Sequence, residues 1–401
     1  MIIAIAVAGV LLIAGAAYII TSSPSEKNKH TVSIIAQVNQ NGSGIFADRE
    51  LSINPSSSAE IAAWDGLVFM TPGVNSIQHE MLRSFVEDVL EMDFDQDRDP
   101  KSSNTVYWTA EAPGPNQING FDVKGYNGGI TWEPWYSAVL ITHPNDDPAF
   151  TGKKSYAIGT SEDLTSGGWH PCCMIVADDV FLKNNKELTL RFLLAYVEAV
   201  EWVKNAQDPT SPFYDDLLYY AYITSRAGTP NDGRVVPEDE KKILKAALAN
   251  IDYESELYDL RAFIADLAET WKGRLNPIPN YGAFADELLN YNFIFNIEEY
   301  QTDLKADYRD SEQSAAGTVR LGYLQNDLHQ IAVRIAMLEE FDGIADCAGN
   351  NKSIFDLYGV KIKAADPQAN GNYVMDLFGT GDIDIGVLGL PPTLIRSANG
   401  I

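Results

Sequence analysis

Four stretches of the chain carry residue types that could do chemistry. In the first, His170-Pro171-Cys172-Cys173 sets an imidazole beside two thiols, just ahead of the apolar strand Met174–Ala177. Thiol and imidazole donors suit zinc, but a structural zinc site draws on four ligands, usually as two spaced pairs. No second pair stands at ligand spacing, so no metal is expected. The third cysteine, Cys347, leaves an odd count and could bridge to Cys172 or Cys173.

The second stretch runs from the strand Leu67–Met70 through Thr71-Pro72-Gly73-Val74-Asn75-Ser76 into a helix predicted over Ser76–Leu90, with His79 in its first turn. A strand, a Gly-containing turn and a helix start present free N–H groups and the positive end of a helix dipole, which together suit an anion. Asn75 or Ser76 could equally serve as an ordinary N-cap. In the third stretch, Trp132-Glu133-Pro134-Trp135 ends a strand and opens a helix; two indoles around a carboxylate suit the wall of a ligand cleft. In the fourth, Gln37 and Asn39 to Ser43 form an amide- and hydroxyl-rich cluster after the strand Val32–Gln37. The alternating carboxylates from Asp93 to Asp99 imitate the start of a calcium loop. Arg98 stands where such a loop needs Gly, and Asn104 where it needs Glu, so a solvated acidic loop is expected. No Ser-His-Asp set with a supporting turn and no P-loop occurs, so no catalytic residue and no cofactor is assigned.

These groups need a frame. Val319–Tyr323, Val360–Lys363 and Ile383–Val387 alternate with helical stretches over Gln325–Phe341, Tyr373–Phe378 and from Pro391, a βαβαβα run of a parallel sheet. The run stops at Ile401 with a fourth strand due, and Val32–Gln37 is a strand of the right kind. Between lie further strands, at Leu67–Met70, Thr105–Thr109, Ser155–Ile158 and Met174–Ala177, and Ile130–Tyr136 reads as a strand end followed by a Pro-initiated helix. Helices follow from Lys186, with an apolar face at Leu188, Phe192, Leu193, Tyr196 and Val197.

The 401 residues suffice for two or three sizeable cores. The formal charge of −27, from 56 acidic against 29 basic residues, argues against a nucleic-acid binder, which needs a basic face. Residues 2–20 are uncharged and apolar, long enough to cross a bilayer or to act as a secretory segment. Either role places the bulk of the chain outside the cytoplasm.

Seven stretches together resemble a known family. VRLGYLQNDLHQIAVRIAMLEEF, YGVKIKAAD and GTGDIDIGVLGLPPTLIRSANGI match its first lobe; VSIIAQVNQNGSGIF the strand that follows; GLVFMTPGVNSIQHEML with GYNGGITWEPWYSAVL its second lobe; and HPCCMIVADDVFLKNNKELTLRFLLAYVEAV the return strand. The chain resembles the periplasmic-binding-protein family of the nitrate, sulfonate and taurine ABC importers, which also includes binders of thiamine-pyrimidine precursors. The blocks stand in rotated order, as in a circular permutant.

The resemblance implies a two-lobed α/β type II fold, preceded by the apolar segment, with a ligand cleft between lobes. Residues 1–22 would be an anchor or signal, 23–30 a tether, 31–62 with 168–300 and 317–401 one lobe, and 63–167 the other. Residues 301–316 would link the family's usual termini. It implies a monomeric extracytoplasmic solute-binding protein, not an enzyme, that hands a small polar, anionic solute of the nitrate, sulfonate, taurine or bicarbonate type to a membrane permease. The Trp-Glu-Trp stretch leaves an aromatic or cationic solute open. Alternatives on the same fold are a thiamine-pyrimidine-related binder or enzyme, and a sensory ectodomain. The implied ligand-binding residues are Gln325, Asn326, Gly389, Pro391, Thr393, Gln37, Asn39, Asn41, Ser43, Gly73, Asn75, Ser76, His79, Trp132, Glu133, Trp135 and His170; Leu324 and Leu390 lie among them.

Overall fold

The computed structural model describes residues 31–96, 102–165, 170–226, 234–254, 260–293, 303–309, 317–339 and 341–400. The apolar segment 2–20, the tether and Ile401 lie outside them. No described helix is long and apolar enough to cross a membrane.

The chain is a mixed α/β protein with two principal sheets. Strands are β1 (Val32–Gln37), β2 (Asn39–Asn41), β3 (Ser43–Ala47), β4 (Val68–Thr71), β5 (Asp93–Gln96), β6 (Thr105–Ala110), β7 (Gly128–Trp132), β8 (Tyr156–Thr160), β9 (Cys173–Asp178), β10 (Ile251–Tyr253), β11 (Gly317–Gly322), β12 (Val360–Ala364) and β13 (Ile385–Gly389). The first sheet has the order β12-β11-β13-β9-β1 and the second β5-β6-β4-β7-β3-β8. In the first, β12, β11 and β13 are parallel, β9 runs against β13, and β1 runs against β9. In the second, β6, β4 and β7 are parallel, β3 runs against β7, and β8 runs against β3. Both sheets therefore share one plan: second, first and third strands parallel, then one reversed strand, then a fourth parallel to the first three. Strand β5 is an extra edge on the second sheet.

The reversed strands are those that enter from the other sheet. The chain leaves β1, passes through β2, and enters the second sheet as β3; it returns through His170–Cys172 to become β9. The two crossings lie side by side, joined by Val38 N–H to Cys173 O at 2.8 Å, Asn41 N–H to His170 O at 3.0 Å and Cys172 N–H to Asn39 O at 3.2 Å. Strand β10 pairs antiparallel with β2 and makes a third crossing of the ribbon.

Strands β1 and β9 are buried along their whole length, as expected where helices cover both faces of a sheet. The helix Tyr281–Leu288 packs on β1, and the helices Gly371–Gly379 and Leu390–Asn399 pack on β13. Tight spacing inside the second sheet is enforced by glycine. A Cβ on Gly128 would stand 2.2 Å from the carbonyl oxygen of Phe46, a backbone atom of the paired strand that cannot swing away. Gly128→Ala should lower stability by about 1–3 kcal/mol in urea unfolding, the usual range for overpacking; an unchanged midpoint would show that β3 and β7 can separate at no cost.

Several expectations are corrected. The segment Ser43–Ala47 belongs to the second sheet and not with 31–62 in the first, because β2 already makes the crossing. The helix expected over Gln325–Phe341 is a 3₁₀ turn, Leu328–Gln330, followed by the short helix Ile331–Ala336. The helix expected over Ser76–Leu90 is α-helical only over Ile77–Ser84 and continues as a π-turn, Phe85–Val89. Part of the acidic loop forms the edge strand β5. Residues 303–308 of the expected linker are helical. There Lys305 pairs with Glu201, and Arg309 with Glu198, on the helix Lys186–Gln207.

Candidate functional site

A cavity of about 390 Å³ lies between the two principal sheets. Its walls come from the segments that follow the C-terminal ends of parallel strands: Pro72 to Gln78 after β4, Ala112 and Pro113 after β6, Leu324, Asp327 and His329 after β11, Ala369 to Asn372 after β12, and Gly389, Pro391 and Pro392 around the end of β13. Trp108 and Trp132, from β6 and β7, supply two indoles, and Cys172 and Cys173 line it where β9 begins. Ligands of open α/β sheets gather at such strand ends because the turns there are free to vary while the sheet stays rigid.

The polar floor is compact. Asp327 caps the 3₁₀ turn Leu328–Gln330, accepting the backbone N–H of His329 at 3.0 Å. The same turn brings the His329 ring onto its carboxylate, with Nδ1 3.1 Å from Oδ1. On the other side of the ring, Nε2 lies 3.1 Å from the carbonyl oxygen of Gly42. His329 Nδ1 is also 3.7 Å from the Cys172 sulfur, and the Cys173 sulfur is 3.7 Å from Asp327 Oδ2. The two sulfurs are 4.0 Å apart. Both are thiols, and neither is bonded to Cys347, so the bridge that the sequence left open is not formed.

Burial opposes charge on His329, but the Asp327 carboxylate, by its charge and its hydrogen bond, outweighs that with help from Cys173, and the ring's pKa is pushed up to about 10. The imidazole is therefore a cation at neutral pH, held by Asp327. Contact with Cys172 together with burial pushes the Cys173 thiol well up. Cys172, Cys173 and His329 are all buried and place their ligating atoms within 4.8 Å of one another, so among the described residues they are the ones that could hold a metal ion.

Of the residues expected from sequence, Gly73, Asn75, Ser76, Trp132, Gly389 and Pro391 line the cavity, as does Leu324. The others stand elsewhere. Gln325 is exposed and Asn326 half-buried outside the lining; Asn326 turns the chain at φ 51°. Thr393 bonds back to the Gly389 carbonyl within its helix. Asn39, Asn41, Ser43 and Gln37 point into the protein. Asn39 accepts the Cys173 N–H, Asn41 bridges Glu162 and Asp252, Ser43 accepts from Gln78, and Gln37 donates to the Asn39 carbonyl. These amides hold the crossing ribbon together, so they sit just behind the floor.

His79 is also behind the wall. It bonds Thr71 Oγ1 at 3.0 Å and meets the Trp108 ring edge-on at 4.6 Å. Burial, with Arg274 and Arg83 nearby, lowers its pKa to about 3. Glu133 is fully buried under Asn250 and Ser137, and Trp135 lies beneath the Arg226 guanidinium at 4.4 Å. His170 is fully buried, and neither of its ring nitrogens makes a hydrogen bond among the described residues. Burial, then the charge on His329, lowers its pKa to about 3.

Sequence reasoning missed Asp327, His329 and Trp108, and did not connect Cys172 and Cys173 with them. The available signal was His329 in Gln325-Asn326-Asp327-Leu328-His329, directly after a strand end. No protein-family model matches the chain, and no curated protein matches it.

Proposed function

We propose that this chain is an extracytoplasmic solute-binding protein of an ABC-type importer. In this proposal it has a two-lobed type II binding fold and captures a small polar solute by closure of the lobes. The cavity carries the proposal: strand ends of both sheets line it, and among the described residues the crossing segments join the two sheets. Two sheets of one plan, joined by a short three-segment ribbon, suit a hinge. The apolar stretch at residues 2–20 supports export and attachment to the membrane.

The lining bears on the solute. No Lys or Arg side chain is among the described residues that line the cavity. Two indoles and the prolines 72, 113, 391 and 392 make much of the wall apolar. The helix start at Ser76 supports an anionic group on the solute, and the indoles support a flat body. A small flat molecule with one polar or anionic group fits both.

Trp132→Ala should weaken solute binding by about tenfold or more, roughly 1.4 kcal/mol, while leaving the thermal midpoint of the free protein within a few degrees. The measurement is a thermal-shift screen of nitrate, sulfonates, bicarbonate and pyrimidine compounds, followed by calorimetry of whichever stabilises the protein. If a binder emerges and Trp132→Ala leaves its affinity untouched, the cavity is not where it binds. If product accumulates as the ligand is consumed, the chain is an enzyme.

A further inference from the structure

We propose that Cys172, Cys173 and His329 form a binding site for one thiophilic d¹⁰ cation, of the Zn²⁺ or Cu⁺ class, whose remaining coordination position faces the cavity. Nothing in the solute-binding proposal requires this site, and it stands on separate observations.

Donor spacing is the first. A tetrahedral ion with metal–sulfur bonds of about 2.3 Å and metal–nitrogen bonds of about 2.0–2.1 Å places its two sulfurs about 3.8 Å apart, and sulfur and nitrogen about 3.6 Å apart. The Cys172 and Cys173 sulfurs are 4.0 Å apart, and Cys172 Sγ is 3.7 Å from His329 Nδ1. These two spacings therefore stand within a few tenths of an ångström of ligating values, and all three donor atoms lie within 4.8 Å of one another.

Orientation is the second. A metal-bound imidazole typically donates its other N–H to a carbonyl or carboxylate, which fixes the ring. His329 Nε2 faces the Gly42 carbonyl at 3.1 Å, so Nδ1 is the nitrogen turned to the sulfurs. Asp327, beside Nδ1, leaves a carboxylate next to the bound cation. Asn39 accepts the Cys173 backbone N–H at 3.2 Å and fixes the strand that carries the thiols.

Position is the third. A thiol pair and a buried ion pair serving only stability would be expected in the packed core, where apolar residues of the same size do as well. Here Cys172, Cys173, Asp327 and His329 all line a cavity. Next to them His170 is fully buried, with both ring nitrogens unbonded among the described residues, an arrangement that needs a compensating polar partner. Two thiolates and one imidazole select a soft or borderline ion over Mg²⁺ or Ca²⁺. On binding, the Cys172 and Cys173 thiol protons and the His329 imidazolium proton pass to solvent, and the ion takes their place on the two sulfurs and Nδ1.

The test uses the full chain in mild detergent, stripped with a chelator. Zn²⁺ is titrated against a chromophoric chelator, and Co²⁺ is added separately as a spectroscopic probe. The expected result is one ion per chain, with thiolate-to-cobalt charge transfer and the intense visible bands of tetrahedral cobalt. Cys172→Ser and Cys173→Ser should each weaken Zn²⁺ binding at least tenfold and reduce the charge-transfer band, and His329→Gln should weaken binding without removing that band. Cys347→Ala should change neither. Circular dichroism of each variant in chelator separates lost binding from lost folding, and the wild-type cobalt spectrum needs no variant. Absence of Zn²⁺ binding, binding without thiolate charge transfer, or binding indifferent to both Cys172 and Cys173 would overturn the site. If Zn²⁺ fails while an organic solute stabilises the protein, this inference alone falls. If Zn²⁺ binds and no organic solute does, the metal site stands and the solute proposal falls.

Discussion

Asp327→Asn should lower the stability of the metal-free protein by roughly 3 kcal/mol at neutral pH, and the loss should have a distinct pH signature. In the native protein the His329 imidazole is buried, which alone would keep it neutral. The Asp327 carboxylate at 3.1 Å reverses that and raises its pKa to about 10, above the ordinary value of 6.5. A group whose folded pKa is raised contributes stability that is complete below its unfolded pKa and disappears as pH climbs through the folded one. The native contribution is thus full below pH 6.5 and fades towards about pH 10. With Asn at position 327 the imidazole folds neutral, and the sign inverts: that side chain then favours folding more as pH rises through its unfolded value. Urea unfolding in chelator between about pH 6 and about pH 9 should show the gap between the two proteins closing as pH rises. A gap that stays constant would mean that His329 is neutral in the native protein. Asn at this position can still cap the 3₁₀ turn, so the comparison isolates charge from local geometry.

Glu133→Ala should cost about 4 kcal/mol, and Glu133→Gln only about 1–2 kcal/mol. The residue was expected in a ligand cleft, but its carboxylate is fully buried away from the cavity and serves as an internal tie. One oxygen accepts from Ser137 Oγ at 2.9 Å and from Asn250 Nδ2 at 2.7 Å; the other accepts the Ser137 backbone N–H at 3.1 Å. Burial raises its pKa, and those hydrogen bonds pull the other way. Truncation to Ala strands two buried donors on Ser137, each worth about 1–3 kcal/mol of lost compensation after partial relaxation, and the half-buried amide of Asn250. Gln keeps an acceptor for two of them and turns an NH₂ towards the third. The chain entering the helix Trp135–Thr142 is thereby tied to Asn250, at the end of the helix Glu238–Ala249. Urea unfolding of both variants decides the matter: a cost for Ala below about 1 kcal/mol would show that the carboxylate is available to a ligand. Alongside Trp132→Ala, the pair separates neighbours in sequence by role. Trp132 faces the cavity, and Glu133 faces the core.

That contrast marks where local pattern stops being informative. The runs Val32–Gln37, Met174–Ala177 and Val319–Tyr323 declared buried strands by composition alone, and the breaks at Gly379-Thr380-Gly381 and Pro391 declared helix boundaries, so an α/β chain with parallel strands was legible. The turn from Gly73 to Ser76 and Trp132 were also legible as cavity wall, since they stand at strand ends in the sequence itself, whereas Gly389 and Pro391 came from the family resemblance alone. Neighbouring strands were not. Periodicity assigns a residue to a face of its strand, but the partner strand is fixed by hydrogen bonds between distant segments; hence Ser43–Ala47 was placed in the wrong sheet.

Polar residues near strand ends posed the same limit. An amide there can meet a ligand or satisfy a buried backbone group, and composition is identical in the two cases. The crossing ribbon claimed Asn39 and Asn41, because three chain segments meet there and their N–H and C=O groups need partners. His170-Pro171-Cys172-Cys173 showed two thiols and an imidazole, yet the imidazole that meets those thiols is His329, more than a hundred and fifty positions away along the chain. The sequence determined the donor types and the strands that carry them. Only tertiary structure, by seating β9 beside β13 and folding the turn after β11 over its start, decided which imidazole and which carboxylate the thiols would face.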